Sequence, residues 1–381
     1  MSHTIPATCR AAALTEYGKP LEILDVAIPD RLEPGALLVR TTAATVCATD
    51  VHFSAAPIAG GYAAGSLPAI IGHEMTGVVV ARGEGADADS LGRPLTNGDR
   101  VIWSHGYCGR CEPCVVQREP VLCQSLRGYM RGSAREFPYL TGGFSEYVYV
   151  FPTSGRLKVP DEIPDEVAAA SSCALRTVVH GFERLGRIAP TDTVAVLGTG
   201  PLGLFALAMA KVAGPARLIA VGGPTRRLEL AARWGADLVI DVVQTASAAD
   251  RLALVRQATG GRGADVVIEV SGVPAAFDEG LDLLRRGGRY LIVGQLHAEQ
   301  VPFNPSKIVT THATLIGSVS AHIGHYQRGL EFLLRHRDSF DWTEMLTGRY
   351  PLEDINIALE SMRSWSEIKP VITFPPARTS S

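Results

Sequence analysis

The segment from Thr193 to Val221 restricts the fold of this 381-residue chain more than any other part of the sequence. A short apolar run (TVAVL, 193–197) leads into a glycine-rich loop (GTGPLG, 198–203), a helical apolar stretch to Ala213 and a second apolar run (RLIAV, 217–221). Strand, glycine loop, helix and strand within about thirty residues are typical of a dinucleotide-binding βαβ unit. In such a unit the N-terminus of the helix faces the pyrophosphate of the cofactor.

The glycine-rich loop supplies the first predicted cofactor contacts. Its first glycines allow a tight turn and a close approach of the backbone to the cofactor, and its last glycine lets the helix pack on the strand. The loop residues that we predict to bind the cofactor are Gly198, Gly200, Pro201, Leu202 and Gly203.

Further apolar runs at 265–270 and 289–293 are separated by a helical pattern at 276–284. Strands that alternate with helices predict an α/β fold with a doubly wound parallel sheet. Parallel strands are buried on both faces and are therefore almost continuously apolar, as these runs are.

The end of the second strand bears on the choice between NAD and NADP. A carboxylate is expected there to bind the adenosine ribose of NAD, but the sequence 221–227 is VGGPTRR and contains none. Arg226 and Arg227 are candidates for binding a 2′-phosphate, and the alternative is that they form the solvated first turn of the next helix. Both cofactors stay open.

Four of the seven cysteines fall within sixteen residues, as Cys108, Cys111, Cys114 and Cys123. Two-residue gaps let successive thiolates converge on one tetrahedral ion, and four sulfurs close its coordination shell. The spacing therefore predicts a structural zinc site, with an iron–sulfur cluster or a redox pair as the alternative. An odd cysteine count argues against a disulfide framework.

Three further candidate ligands are spread along the chain. Cys47 follows an apolar strand. His73 lies between two apolar runs, in the segment GHEMTG with a glycine at each end, and Cys173 lies in SSCALRT. Each alone is more simply read as a buried core residue. Together they form a Cys/His/Cys set of the kind that holds a catalytic zinc with an open fourth position.

Composition excludes some partners. The net charge is −3 and no lysine- or arginine-rich run is present, which argues against nucleic acid and anionic membranes. The uncharged run from Thr193 to Ala210 approaches the length of a membrane span, but its glycines and proline favour strand, loop and helix. The first residues show no secretory signal, so we expect a cytoplasmic protein.

The chain resembles the zinc-dependent alcohol dehydrogenases of the medium-chain dehydrogenase/reductase superfamily from Cys9 to Phe374. The motifs that carry the resemblance are GHE at 72–74, NGDRV at 97–101, the four cysteines, GGFSEY at 142–147 and GTGPLG. The resemblance implies a GroES-like catalytic domain at 1–173, a Rossmann domain at 174–317 and a C-terminal return to the catalytic domain at 318–381.

The resemblance also implies residue roles. Cys47, His73 and Cys173 are similar to the catalytic zinc ligands, Asp50 to the carboxylate that orients the ligand histidine, and Glu74 to an acid that can approach the metal. Thr49 and His52 resemble a proton relay that runs through the nicotinamide ribose, for which a helix N-cap and a surface histidine are the alternatives. Thr177, Arg227 and Val293 stand at cofactor-contact positions, and Gln295 is expected to line the site.

The resulting hypothesis is reversible hydride transfer between a small-molecule alcohol and NAD or NADP, with one catalytic and one structural Zn²⁺ per subunit of a homodimer or homotetramer. An NADPH-dependent aldehyde or ketone reductase, a zinc-free reductase and a non-enzymatic zinc-finger-like protein are the alternatives. The loops 53–67 and 127–140 are expected to border the pocket. The first is uncharged and favours an apolar or cyclic alcohol over a phosphorylated one, whereas three arginines in the second leave an anionic group open. We expect a secondary or cyclic alcohol.

Overall fold

The computed structural model describes residues 5–57, 66–295 and 299–375. The chain divides into two compact units, the first made of Met1–Arg176 with Ser320–Ser381 and the second of Thr177–Val319. The chain thus begins in the first unit, forms the second unit and returns.

The elements are numbered in chain order. The strands are β1 (Thr8–Leu14), β2 (Glu22–Ala27), β3 (Leu37–Thr45), β4 (Ala69–Ile70), β5 (Met75–Arg82), β6 (Arg100–Gly106), β7 (Tyr147–Val150), β8 (Ser154–Lys158), β9 (Thr193–Leu197), β10 (Arg217–Gly222), β11 (Leu238–Asp241), β12 (Ala264–Glu269), β13 (Leu284–Ile292), β14 (Thr314–Gly317), β15 (Leu346–Pro351) and β16 (Lys369–Thr373). The helices are α1 (Ala48–Ala55), α2 (Glu112–Val115), α3 (Asp165–Ala170), α4 (Arg176–Leu185), α5 (Pro201–Ala213), α6 (Thr225–Arg233), α7 (Ala248–Ala258), α8 (Ala276–Leu283), α9 (Ser306–Thr311), α10 (Ile323–Arg335) and α11 (Ile355–Arg363). A π-helical turn (Ser171–Leu175) joins α3 to α4, and 3₁₀ turns lie at Pro120–Leu122, Trp342–Met345 and Leu352–Asp354.

The second unit is built on a parallel sheet with strand order β11-β10-β9-β12-β13-β14. The chain moves outward from β9 in both directions, so that neighbouring strands are joined through helices. All residues of β9 and β12 are buried, as expected of central parallel strands. The predicted doubly wound parallel sheet is confirmed.

Element bounds in this unit agree with the sequence patterns except around β13. The uncharged run 193–210 is β9, loop and the start of α5, and none of the described helices is long and apolar enough to cross a membrane. The helix predicted at 276–284 ends at Leu283, and β13 begins at once rather than at residue 289. Its first half, LRRGG, carries charges and glycines that conceal it from a search for apolar runs.

The first unit contains a sheet of order β15-β16-β3-β5-β6-β8, with β7 also paired to β3, and a smaller sheet β2-β1-β4. Alanine, valine, leucine and aromatic side chains from these strands form its core. The returning C-terminal segment contributes β16, which pairs antiparallel with β3 so that Val371 lies opposite Thr45. The last strand is therefore integral to the sheet that carries Cys47.

The glycine-rich loop between β9 and α5 is tightly packed. Gly198 has φ +109°, a conformation that L side chains rarely adopt. A Cβ on Gly203 would lie 1.9 Å from the carbonyl oxygen of Gly198, whereas a Cβ on Gly200 would have Arg227 Nη1 as its nearest neighbour, at 3.8 Å. The loop thus requires glycine at 198 and 203 for its fold, but not at 200.

We expect Gly203→Ala to lower the free energy of unfolding by about 1–3 kcal/mol or more, because the added methyl group overlaps backbone. Gly200→Ala should stay within about 0.5 kcal/mol of the parent, because space is available and its backbone is extended. Denaturant unfolding of both variants measures this difference. Equal stabilities for the two variants would contradict the packing argument.

Candidate functional site

The four-cysteine lobe (residues 108–123) brings its sulfurs together around α2 and the Pro120–Leu122 turn. The four Sγ atoms all lie within 4.8 Å of one another, with Cys111 Sγ 3.4 Å from Cys114 Sγ and 4.0 Å from Cys123 Sγ. Four sulfurs at about 2.3 Å from a tetrahedral zinc ion are separated by about 3.8 Å. The separations therefore fit a Zn²⁺ held by four thiolates.

Backbone amides support thiolate charge in this lobe. The N–H groups of Cys108 and Ser125 donate to Cys123 Sγ, at 3.2 and 3.4 Å. A hydrogen bond from the amide of Arg110 is the main cause that lowers the pKa of Cys108 to about 6. All four cysteines are free thiols. The lobe is thus suited to binding a cation without any side chain other than cysteine.

A second cluster joins distant segments of the first unit. Ligand atoms of Cys47, His73, Glu74 and Cys173 lie within 4.8 Å of one another. Cys47 immediately precedes α1 at the end of β3, His73 lies between β4 and β5, and Cys173 lies in the π-helical turn. The three ligands predicted from scattered sequence positions therefore do meet in space.

Asp50 fixes both Cys47 and His73. Its Oδ1 lies 3.0 Å from His73 Nδ1, and its Oδ2 accepts a hydrogen bond from the backbone N–H of Cys47 at 2.8 Å. The side chain of Asp50 is fully buried. A carboxylate on Nδ1 holds the proton of a neutral imidazole there and leaves Nε2 as the nitrogen that can bind a metal.

Glu74 is the other buried carboxylate of this cluster. Its Oε2 accepts a hydrogen bond from Thr45 Oγ1 and forms an ion pair with Lys369 Nζ. Burial raises the pKa of Glu74 to about 7, although the charge of Lys369 opposes the shift. Its side chain and that of Lys369 have at most 1% of their surface exposed. Glu74 is therefore held beside the ligands by a cation from β16.

The two predicted relay residues lie on α1. Thr49 is the second residue of the helix and half-buried, and His52 is one turn further on and exposed. Cys47 occupies the N-cap position, so the alternative that Thr49 caps the helix is wrong. Among the described residues no hydrogen bond joins Thr49 to His52.

Two buried basic residues of the first unit were missed by the sequence analysis. Lys369 lies in the apolar strand KPVIT, and Arg176 follows Cys173 by three residues in an otherwise uncharged stretch. Arg176 has 4% of its surface exposed, and its Nη2 lies 3.8 Å from Cys173 Sγ. Both residues could have been identified from the sequence as a charge inside an apolar run, because a charge buried in this way requires a partner.

In the second unit the glycine-rich loop, the two arginines and Val293 follow the carboxyl ends of β9, β10 and β13, whereas Thr177 lies in α4. Arg227 is buried and a Cβ on Gly200 would meet its guanidinium, whereas Arg226 is exposed. Burial lowers the pKa of Arg227 to about 10. The solvated-turn alternative thus describes Arg226 but not Arg227. Thr177 and Val293 are buried, the latter immediately after β13.

A carboxylate does occur near the end of β10, although not on that strand. Asp241 ends the neighbouring strand β11, and its Oδ1 would lie 4.0 Å from a Cβ on Gly223. The sequence around β10 does not reveal Asp241, because the pairing of β11 with β10, and not a short distance along the chain, places this residue near Gly223.

Comparisons with known proteins decide the family. Residues 33–161 match the family model of the alcohol dehydrogenase GroES-like domain, and residues 201–335 match that of the zinc-binding dehydrogenases. The 5-exo-hydroxycamphor dehydrogenase of Pseudomonas putida is 32% identical over 370 residues, which cover 95% of this chain and 98% of the relative. The chain belongs to the zinc-type alcohol dehydrogenase family of the medium-chain superfamily.

Other relatives agree. Sorbitol dehydrogenase of Bacillus subtilis is 29% identical, with 98% of this chain and 99% of the relative covered. Among solved structures, an alcohol dehydrogenase of Thermotoga maritima has a TM-score of 0.87 at 32% identity, covering 96% of this chain and 99% of that one. A zinc-binding dehydrogenase of Sinorhizobium meliloti, solved with NADP, has a TM-score of 0.81 at 25% identity and covers 97% and 100%.

These findings confirm the predicted reaction class and cofactors. The protein is a zinc-dependent oxidoreductase that exchanges hydride between alcohols and NAD(P). The zinc-free reductase and the non-enzymatic binding protein are thereby set aside.

We expect Cys114→Ser to reduce the zinc content from two ions to one per chain after a chelator challenge, because a hydroxyl is a much weaker zinc ligand than a thiolate. The matched control is Cys9→Ser, since Cys9 is equally free but buried beside Ser145 and outside both clusters. Elemental mass spectrometry measures the number of zinc ions per chain in both variants. Retention of two zinc ions by Cys114→Ser would refute the assignment of the lobe.

Proposed function

We propose that Cys47, His73 and Cys173 hold the catalytic zinc and that the four-cysteine lobe holds a structural zinc, in an enzyme that oxidises a secondary or cyclic alcohol. The observation that carries this proposal is the convergence of two thiols and one imidazole, with Asp50 on the far nitrogen of that imidazole. Two sulfurs and one nitrogen leave a fourth position for the substrate, as catalytic zinc sites require.

When bound, the zinc ion lowers the pKa of an oxygen ligand and the nicotinamide ring accepts the hydride. The chain's own residues supply orientation and proton transfer. Asp50 holds the imidazole of His73 in one tautomer, and Glu74 is kept beside it by Thr45 and Lys369. The hydroxyl of Thr49 passes the alcohol proton on, and the exposed imidazole of His52 releases it to solvent.

His105 and Tyr129 support an uncharged substrate. Tyr129 donates its backbone N–H to His105 Nδ1 at 3.3 Å, and the two rings stack with centroids 5.8 Å apart. Burial, together with the charge of Arg176, lowers the pKa of His105 to about 3. His105 is therefore neutral, carries its proton on Nε2 and can donate one hydrogen bond.

The loops predicted to border the pocket bear on the same point. Residues 58–65 of the first loop lie outside the described residues. In the second loop, Arg127 forms a salt bridge with Glu33 and lies over the ring of Phe151, so its charge is already engaged. This weakens the case for an anionic substrate. The names of two relatives, a hydroxycamphor and a sorbitol dehydrogenase, add support for a secondary carbinol.

The assembly and location belong to the same proposal. Strand β14 pairs only with β13 among the described strands and forms an edge of the parallel sheet. An open edge can pair with its counterpart in a second copy, which supports a homodimer or a homotetramer of such dimers. Seven free cysteines support a cytoplasmic location, where thiols are kept reduced.

A panel of primary, secondary, cyclic and polyhydroxylated alcohols, each with NAD⁺ and with NADP⁺, tests the proposed function through the absorbance of the reduced cofactor. We expect the largest kcat/KM with a secondary or cyclic alcohol. The second candidate is aldehyde or ketone reduction with NADPH, and the same assay run in reverse decides it. No turnover in either direction by a chain that holds two zinc ions would overturn the proposal.

We expect His52→Gln to slow alcohol oxidation several-fold, with the loss greatest below neutral pH, because glutamine cannot accept the proton and hydroxide is scarce there. At alkaline pH hydroxide can replace the missing base, and the rates should converge. The matched control is His336→Gln, which removes a histidine next to Phe332 at the end of α10. The pH profile of kcat is the measurement, and identical profiles for His52→Gln and the parent exclude the relay.

A further inference from the structure

None of the residue roles proposed so far accounts for Arg176. This arginine is buried, and each nitrogen of its guanidinium group has a partner. Nε donates to the carbonyl of Ser172 at 3.0 Å, Nη1 donates to Ser320 Oγ at 2.7 Å, and Nη2 donates to Cys173 Sγ at 3.8 Å. Its guanidinium carbon lies 5.5 Å from the ring centroid of Tyr326. Among the described residues no carboxylate contacts this guanidinium.

A buried arginine almost always faces an anion, because taking its charge out of water is costly. Among the described residues that contact Arg176, Cys173 is the one whose side chain becomes a full anion as a zinc ligand, whereas the others offer a carbonyl, a hydroxyl and a phenol ring. The carbonyl of Ser172 and the hydroxyl of Ser320 hold the guanidinium fork in place. The remaining nitrogen, Nη2, is thereby directed at Cys173 Sγ.

The buried charges of the first unit support this reading. Two carboxylates, Asp50 and Glu74, and two cations, Lys369 and Arg176, lie in and around the second cluster, all of them with less than 5% of their surface exposed. Lys369 pairs with Glu74, and Asp50 contacts His73. Two thiolates balance one Zn²⁺, so the cluster is neutral overall only if Arg176 is counted.

We propose that Arg176 is the fixed counter-charge of the Cys173 thiolate, a positioning residue that limits the electron density which this sulfur donates to the catalytic zinc and thereby keeps that ion a strong Lewis acid. The inference rests on the proposed ligand role of Cys173. A positive charge held beside a ligand sulfur withdraws electron density from it, which is one way in which groups beyond the ligands tune a metal site.

The test uses the holoenzyme with Co²⁺ in place of Zn²⁺, because sulfur-to-cobalt charge-transfer bands report the electron density on the thiolates. In Arg176→Met the band of the catalytic site should move to lower energy, while the four-cysteine lobe, which has no contact with Arg176, serves as an internal reference. In the zinc enzyme kcat for alcohol oxidation should fall about tenfold or more at unchanged zinc content.

Two further variants separate charge from packing. Arg176→Lys keeps the charge but loses the planar fork, so we expect it to restore most of the band position. Arg176→Gln keeps hydrogen-bond donors without the charge and should behave like Arg176→Met. If Arg176→Met does not fold, the Lys and Gln variants decide the question, and identical bands in these two would overturn the proposal.

The matched control is Arg251→Met, which removes another buried arginine, one that pairs with Glu279 in the second unit. It should lower thermal stability without moving the cobalt band. An unshifted band and unchanged kcat in both Arg176→Met and Arg176→Gln would refute the role of Arg176. A shifted band in a protein that turns over no alcohol would instead refute the proposed function and leave the role of Arg176 standing.

Discussion

The antiparallel pairing of β3 with β5 is the contact on which the candidate catalytic centre depends. Ala44 lies opposite Met75, and the backbone N–H of Thr45 donates to the carbonyl of Glu74. This ladder places the residues that follow β3 next to those that precede β5. Cys47 and His73 are therefore neighbours because of strand register, and a slip of one residue would turn their side chains to opposite faces of the sheet.

Burial makes every charge in this region interdependent. Asp50 and Glu74 are fully buried, and each is stabilised by a contact from another chain segment. In a low-dielectric interior an uncompensated charge costs several kcal/mol, so these contacts are conditions for folding as well as for chemistry. The buried ions of this region, together with the zinc ion proposed for Cys47, His73 and Cys173, would thus form one electrostatic unit.

The sequence predicted local features of the fold and site well. The glycine loop, β9 and α5 followed from apolar runs and glycine spacing, and the lobe followed from the cysteine spacing, because both depend on residues close together in the chain. The convergence of Cys47, His73 and Cys173 could be inferred only through the resemblance to a family, since strand pairing and not sequence distance creates it. The zinc-ligand, relay and cofactor roles stay predictions until measured.

The buried cations show what spacing cannot reveal. Lys369 and Arg176 lie in otherwise apolar stretches of the kind that form a protein core. The partner of Lys369 is Glu74, 295 residues away along the chain, and that of Arg176 is Cys173, three residues away. Asp241 lies near Gly223 only because β11 pairs with β10. In each case the surroundings of the residue are defined by a partner that periodicity along the chain does not identify.

The position of β16 has a consequence for how this protein can be dissected. Because Val371 and Ile372 complete the sheet beside β3, and Lys369 neutralises Glu74, an N-terminal fragment that stops before Ser320 would retain all seven cysteines but expose an open strand edge and an unpaired interior acid. The unit that carries both cysteine clusters consequently cannot complete its sheet until the residues that follow the second unit have been synthesised.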